Sequence, residues 1–193
     1  MNTLIPHTLL RGCAIAGLAF ALGNTGFAHA QERSPAIRSA ISECEDGARA
    51  GVEMARALGA CDYALRDSGL GDEERARLQI NRAALSAARG DGQSAINDLN
   101  AAQRLLDDLP ELHLTLSAAR IRIGDFNGAH ESAAQALELG LEPSHLGHFN
   151  QAIALERLGR YDEAYDAYVE AARLAPDDAL LAAQPRRFAR HQP

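Results

Sequence analysis

Residues 145–178 read HLGHFNQAIALERLGRYDEAYDAYVEAARLAPDD, and the arrangement of small residues about Gly159 decides the fold. Ala152 stands before the glycine, and Ala164 and Ala171 stand after it. The same pattern recurs upstream as Ser117, Ala129 and Ala136 about Gly124, and again as Ala83, Ala95 and Ala102 about Gly90. Within every copy the steps are 12 and 7 residues, and the glycines repeat at spacings of 34 and 35. A leucine follows three residues after each trio, at Leu105, Leu139 and Leu174. Self-similarity at this period marks a stacked array of supersecondary units. Two antiparallel helices joined by a glycine turn approach closely only where neither carries bulk at the crossing, which explains the small residues.

The expected helices are 76–88, 92–106, 111–123, 127–139, 145–158 and 162–174, with Pro110, Pro143 and Pro176 falling between hairpins. Each hairpin leaves one apolar face uncovered, so about three must stack to bury it. Composition agrees: of 193 residues 47% are hydrophobic and 5% aromatic, 39 are Ala, and all 19 basic residues are Arg. Such a chain favours helices with small contact residues. Formal charge is −7, or −8 once residues 1–30 are set aside, which excludes nucleic acid and anionic lipid surfaces as natural partners.

The quoted stretch resembles the tetratricopeptide repeat through Asn150-Gln151-Ala152, Gly159-Arg160-Tyr161-Asp162-Glu163-Ala164, Tyr168, Ala171 and Pro176. The middle copy carries Phe126 and Ala129, the first has Gly92 where the aromatic is expected, and the large residue early in the first helix is replaced by Gln79, His113 and His148. The resemblance implies an all-α, right-handed solenoid of about three helix-turn-helix repeats, 76–109, 110–144 and 145–178, between N-terminal and C-terminal capping helices. The segment Cys61 to Leu70, followed by Asp72-Glu73-Glu74-Arg75-Ala76 and Asn81-Arg82-Ala83, is similar to exported bacterial members in which a cysteine-bearing helix precedes the first full repeat. That places a cap over residues 31–75, with a helix at about 52–67 and an arm at 34–46 that opens on Ser34-Pro35. At the far end a short helix is expected over 179–184, stopped by Pro185, followed by a solvated basic tail of Arg186, Arg187, Arg190 and His191.

Residues 1–30 have one charge, Arg11, an apolar run from Cys13 to Leu22, and Ala28-His29-Ala30 before a polar stretch. This is the pattern of a secretory signal peptide cleaved after Ala30, and it predicts a periplasmic or secreted chain. The apolar run is about half the roughly 20 residues that a membrane span requires. Two cysteines remain after cleavage, Cys44 and Cys61, and an even pair in an oxidising compartment is expected to form a disulfide, the alternative being two buried free thiols.

Chemistry-bearing residues are sparse. His145 and His148 share a helix face at ligand-like spacing, but no HExxH arrangement supplies further ligands, and no glycine-rich phosphate loop follows a strand. Tyr161, Tyr165 and Tyr168 lie at helical spacing and read as repeat packing rather than an aromatic ligand shelf. The leading expectation is a scaffold without catalytic site, metal or cofactor, binding a protein or peptide through its concave groove. Two others are a metal-binding or hydrolytic accessory protein using His145 and His148, and an oligomerisation subunit of an envelope complex. In stacked hairpins the first helices line the concave side, where Arg77, Asn81, Ala84 and Ala88, then Glu111, Thr115, Ala118 and Arg122, then Leu146, Asn150, Ile153 and Arg157 face the groove. Asn81, Arg122, Asn150 and Arg157 form the expected contact set, amides meeting peptide backbone and arginines meeting a carboxylate, side-chain or C-terminal. The asparagines resemble the carboxylate clamps of peptide-binding family members, which also use Lys; the alternative is a solvated helix face without ligand.

Overall fold

The structure, a computed structural model, describes residues 33–188. The signal-peptide expectation, Arg190 and His191 lie outside the described residues. Among those described, nine helices and no strand are present. They run α1 (Pro35–Ala50), α2 (Met54–Ala64), α3 (Asp72–Ala88), α4 (Gly92–Gln103), α5 (Pro110–Ile123), α6 (Phe126–Glu138), α7 (His145–Arg157), α8 (Tyr161–Leu174) and α9 (Ala179–Phe188). The six repeat helices fall near the expected places, but α3 begins at Asp72, four residues ahead of the expected 76 and inside the segment assigned to the cap, where Asp72, Glu73 and Glu74 stand in its first turn, and α4 ends at Gln103 rather than 106. Pro110 differs: it is the first residue of α5, where its missing N–H has no intrahelical acceptor to lose.

The hairpin turns follow from three glycines in the left-handed region, Gly90, Gly124 and Gly159, with φ of 89°, 82° and 76°. Side chains pay a steric penalty there that glycine avoids. Asp91 and Asp125 then cap the following helices by accepting from Ser94 N and Gly128 N, both at 3.0 Å. In the third hairpin Arg160 stands at this position and no side chain caps α8. Instead the Arg160 guanidinium donates to both Glu163 oxygens, at 2.7 and 2.5 Å, within the first turn.

All nine small residues of the three trios are fully buried, at 0% exposure. That result fixes the register, because a slip of one residue would have placed larger side chains at the crossings. Leu99, Leu112 and Leu116 fill the space between the first two hairpins, with Leu105 packed partly buried against them. A second apolar cluster joins α1 and α2 to the first repeat through Leu78 and Leu85. Cys44 and Cys61, both 0% exposed, are bridged in it, with Cα atoms 4.9 Å apart. Arg82 ties three helices at this end, donating to both oxygens of Asp98 on α4 at 2.8 and 2.5 Å and to Asp62 on α2 at 2.7 Å. The Asp98 hydrogen bonds, above all, hold the Arg82 guanidinium above its ordinary range and firmly charged.

The C-terminal cap corrects one expectation and refines another. Helix α9 does not stop before Pro185 but contains it and continues to Phe188. A proline removes one donor, and anchors on both sides outweigh that loss: Leu181 is buried, and Arg187 is held on Glu156 of α7 at 2.6 Å. Arg187, half exposed, is therefore solvated as expected but tethered to α7 rather than part of a free tail.

Candidate functional site

The first helices α3, α5 and α7 touch one another in succession, whereas the second helices α4, α6 and α8 make no comparable contact among themselves. Helices on the inner radius of a curved stack lie closer than those on the outer radius, so the first helices form the concave row. The strip expected to face it contains no buried residue; every member is exposed or half-buried.

The four expected contact residues sit differently within that strip. Asn81 is half-buried on α3. Asn150 already has a task, since its amide donates to the Leu114 carbonyl on α5 at 3.4 Å and helps to join consecutive repeats. Arg122 and Arg157 occupy equivalent places in the last turns of α5 and α7, both exposed and neither in an ion pair among the described residues. Arg157 lies over the Phe126 ring, 5.7 Å from its centroid, a contact that holds a guanidinium without neutralising it. Its counterpart has no such shelf, because Gly92 replaces the aromatic. A Cβ on Gly92 would come within 2.7 Å of Ile123 Cγ2 and 3.3 Å of Arg122 Cβ, so α4 and α5 close over the position where a ring would stand.

A cleft outside the expected contact set lies at the C-terminal end of the row. Helix α9 packs on α8 but not on α7 in the way that α3, α5 and α7 pack together, and a cavity of about 710 Å³ remains beside α7. Phe149 and Tyr168 form its aromatic wall, ring centroids 5.9 Å apart at 61°. Tyr168 is almost wholly buried and donates to Glu156 Oε2 at 2.8 Å, the oxygen that also receives Arg187. Burial, and then the hydrogen bond to Glu156, push the Tyr168 hydroxyl well above the usual tyrosine range. The Arg187 guanidinium also stands 5.6 Å from the centre of the Tyr168 ring. The tyrosine series thus divides: Tyr168 is packing, while Tyr161, 60% exposed, lies at the rim of the cleft. Phe149 beside Asn150 was the signal available in the sequence, an aromatic adjoining the expected contact strip.

With the hairpin geometry established, residues 145–178 match the family described as tetratricopeptide repeat. The chain carries a tetratricopeptide repeat. Solved tetratricopeptide-repeat structures share its fold. The Arabidopsis OM64 TPR domain is 19% identical with a TM-score of 0.59, the match covering 63% of this chain and 100% of that one. A chain of the APC/C hetero-tetramer Cut9–Hcn1 is 20% identical with a TM-score of 0.69, covering 80% of this chain and 30% of the other. MamA is 15% identical with a TM-score of 0.59, covering 74% and 80%. At these identities the likeness is one of fold.

Within the repeat at 145–178, His145 opens α7 after Ser144, and His148 follows a turn later. Glu170 on α8 feels His148 weakly, and its carboxyl is held below the usual range first by the hydrogen bond from Arg173. Among the described residues no group of three or more His, Cys, Asp or Glu side chains could hold a metal ion.

Proposed function

We propose that this chain is a non-enzymatic scaffold, exported to the periplasm or secreted, which holds an extended acidic segment of a protein partner along α3, α5 and α7. The observation that carries the reading is the pair Arg122 and Arg157, equivalent positions of consecutive repeats, exposed and in no ion pair among the described residues of a chain whose net charge is −7. Two uncompensated guanidiniums at one register suit carboxylates spaced along one strand of peptide. Asn81 offers an amide to the peptide backbone beside them. Export is supported by the pattern of residues 1–30 and by the Cys44–Cys61 bridge, a bond that persists in oxidising compartments.

The test combines Arg122→Glu with Arg157→Glu, both exposed, and measures binding of a fluorescent glutamate-rich peptide by anisotropy. An unchanged circular dichroism melt with lost binding is the expected outcome, and undiminished binding by the folded double variant refutes the groove. N-terminal sequencing of the exported chain is expected to begin at Gln31; an intact Met1 in the envelope fraction refutes cleavage.

A further inference from the structure

We propose that the cleft between α7 and α9 receives a bulky apolar side chain, aromatic by preference, from a peptide that carries an acidic residue one or two positions away. The inference rests on the groove reading above and deepens it by naming what the partner must contain besides carboxylates.

The cleft arises where the row of first helices is interrupted. Half-buried Phe149 and Ile153 give it an apolar floor, backed by the almost wholly buried Tyr168 and rimmed by polar side chains, and its volume of about 710 Å³ accommodates a side chain and adjoining backbone. The carboxylate of Glu156 is already supplied with donors by the Tyr168 hydroxyl and by Arg187. That single carboxylate stands among two guanidiniums in the lining, Arg157 and Arg187, so the charge of the cleft does not favour a cationic ligand. At its rim Arg157 is held by the Phe126 ring and enters no ion pair among the described residues, and with two guanidiniums to one carboxylate the charge of the lining is positive. An apolar floor beside one such guanidinium complements an apolar group with a neighbouring acid. Continuity selects a peptide over a free small acid, because Ile153 and Arg157 belong both to the groove strip and to the cleft. A segment lying along α3, α5 and α7 reaches the cleft without changing surface. Aromatic side chains gain most from such a floor, through area and through edge-to-face contact with the half-buried Phe149 ring.

The experiment uses the chain without residues 1–30, oxidised, and three fluorescent ten-residue peptides, acetylated and amidated so that only side chains bring negative charge. One contains Phe flanked by Glu, the second has that Phe replaced by Ala, and the third has the Glu residues replaced by Gln. The Phe peptide is expected to bind at least about tenfold tighter than the Ala peptide, as for a buried aromatic anchor. The Gln peptide is expected to lose comparable affinity, and Arg157→Gln to weaken the Glu-bearing peptides while leaving the preference for Phe. Gln184→Trp, which fills the cleft from α9, is expected to abolish that preference and leave the affinity for the Ala peptide. Ile153→Ser serves the same purpose if Gln184→Trp does not fold.

Equal affinity for the Phe and Ala peptides overturns the cleft proposal while leaving the groove reading intact. Absence of binding by all three overturns both. A Phe preference that survives the filled cleft places the aromatic elsewhere and overturns the proposal. Concentration-dependent sedimentation abolished by Gln184→Trp gives the cleft to a second copy of the chain, which also overturns it.

Discussion

Gly47 and Gly59 lie in facing helices of the N-terminal cap, and replacing each by alanine is expected to change stability in opposite directions. Mid-helix Gly→Ala ordinarily gains about 0.5–1 kcal/mol, since glycine loses more backbone freedom on folding. At Gly59 in α2 a new Cβ meets nothing within 4 Å, so the full gain is expected there. At Gly47 in α1 the new Cβ would lie 2.2 Å from the Cβ of Ala57, itself almost fully buried. Ordinary carbon contact is about 3.5–4.0 Å, so the helices would have to separate by more than an ångström. They cannot do so freely, because the Cys44–Cys61 bridge joins them one turn away. Overpacking costs about 1–3 kcal/mol, and a contact this close between two atoms that cannot rotate away belongs to the upper part of that range. Subtracting the propensity gain leaves Gly47→Ala destabilised by about 1–2 kcal/mol, a fall in Tm of roughly 3–6 °C for a chain of this size. Urea unfolding of oxidised protein followed by circular dichroism measures both variants. The penalty is expected to shrink when Cys44 and Cys61 are replaced by Ser, since the helices are then able to part. A Gly47→Ala protein as stable as the parent refutes the close approach of α1 and α2.

Three further predictions concern the repeats, the bridge and the packed tyrosine. Ala95→Leu, Ala129→Leu and Ala164→Leu occupy equivalent, fully buried crossings and are each expected to cost about 1–3 kcal/mol in urea unfolding; unchanged midpoints in all three refute the register. Opening the Cys44–Cys61 bridge, which spans a sequence separation of 17, is expected to cost about 3 kcal/mol by the chain-entropy estimate. Recovery of both cysteines as free thiols from the envelope by peptide mapping refutes the bridge itself. Because the folded chain raises the Tyr168 hydroxyl, the unfolded chain gives up that proton first as pH rises. Its contribution is complete below about pH 10 and is lost progressively as pH rises from there towards the raised folded value, so above about pH 10 the urea midpoint is expected to fall by more in the parent than in Tyr168→Phe. An identical fall in both proteins refutes the assignment.

The repeat core was legible because its signal is stated three times. Each of the nine small residues is forced by a crossing, each glycine by a left-handed turn, and agreement among copies separates those constraints from accident. The cap disulfide was legible from the even number of cysteines left after residue 30. Features that occur once carried no such check. Pro185 reads locally as a stop, and only the burial of Leu181 and the reach of Arg187 to Glu156, from another helix, show why α9 continues. The cleft draws on residues between Phe149 and Arg187 in three helices, one of which belongs to no repeat. Its existence depends on how far α9 stands from α7, a distance that no spacing along the chain encodes. Of the four expected groove residues, Asn150 shows the ambiguity most plainly, because an amide suited to a peptide is equally suited to the Leu114 carbonyl.

The covalent bridge lies wholly outside the three hairpins, at one end of the stack, and this gives the molecule a direction. In an array whose units bind only their neighbours, opening begins at whichever boundary is held less firmly. The N-terminal boundary has the Cys44–Cys61 bond and the Arg82 clasp on Asp62 and Asp98, whereas the C-terminal boundary has Leu181 and the Arg187 contacts. Unfolding is therefore expected to advance from α9 towards α1 like a zipper with one end sewn shut, with amide protons of α8 and α9 exchanging before those of α3. The cleft beside α9 thus sits at the opening end, where an occupant bridging α7 and α9 would also lock the slider.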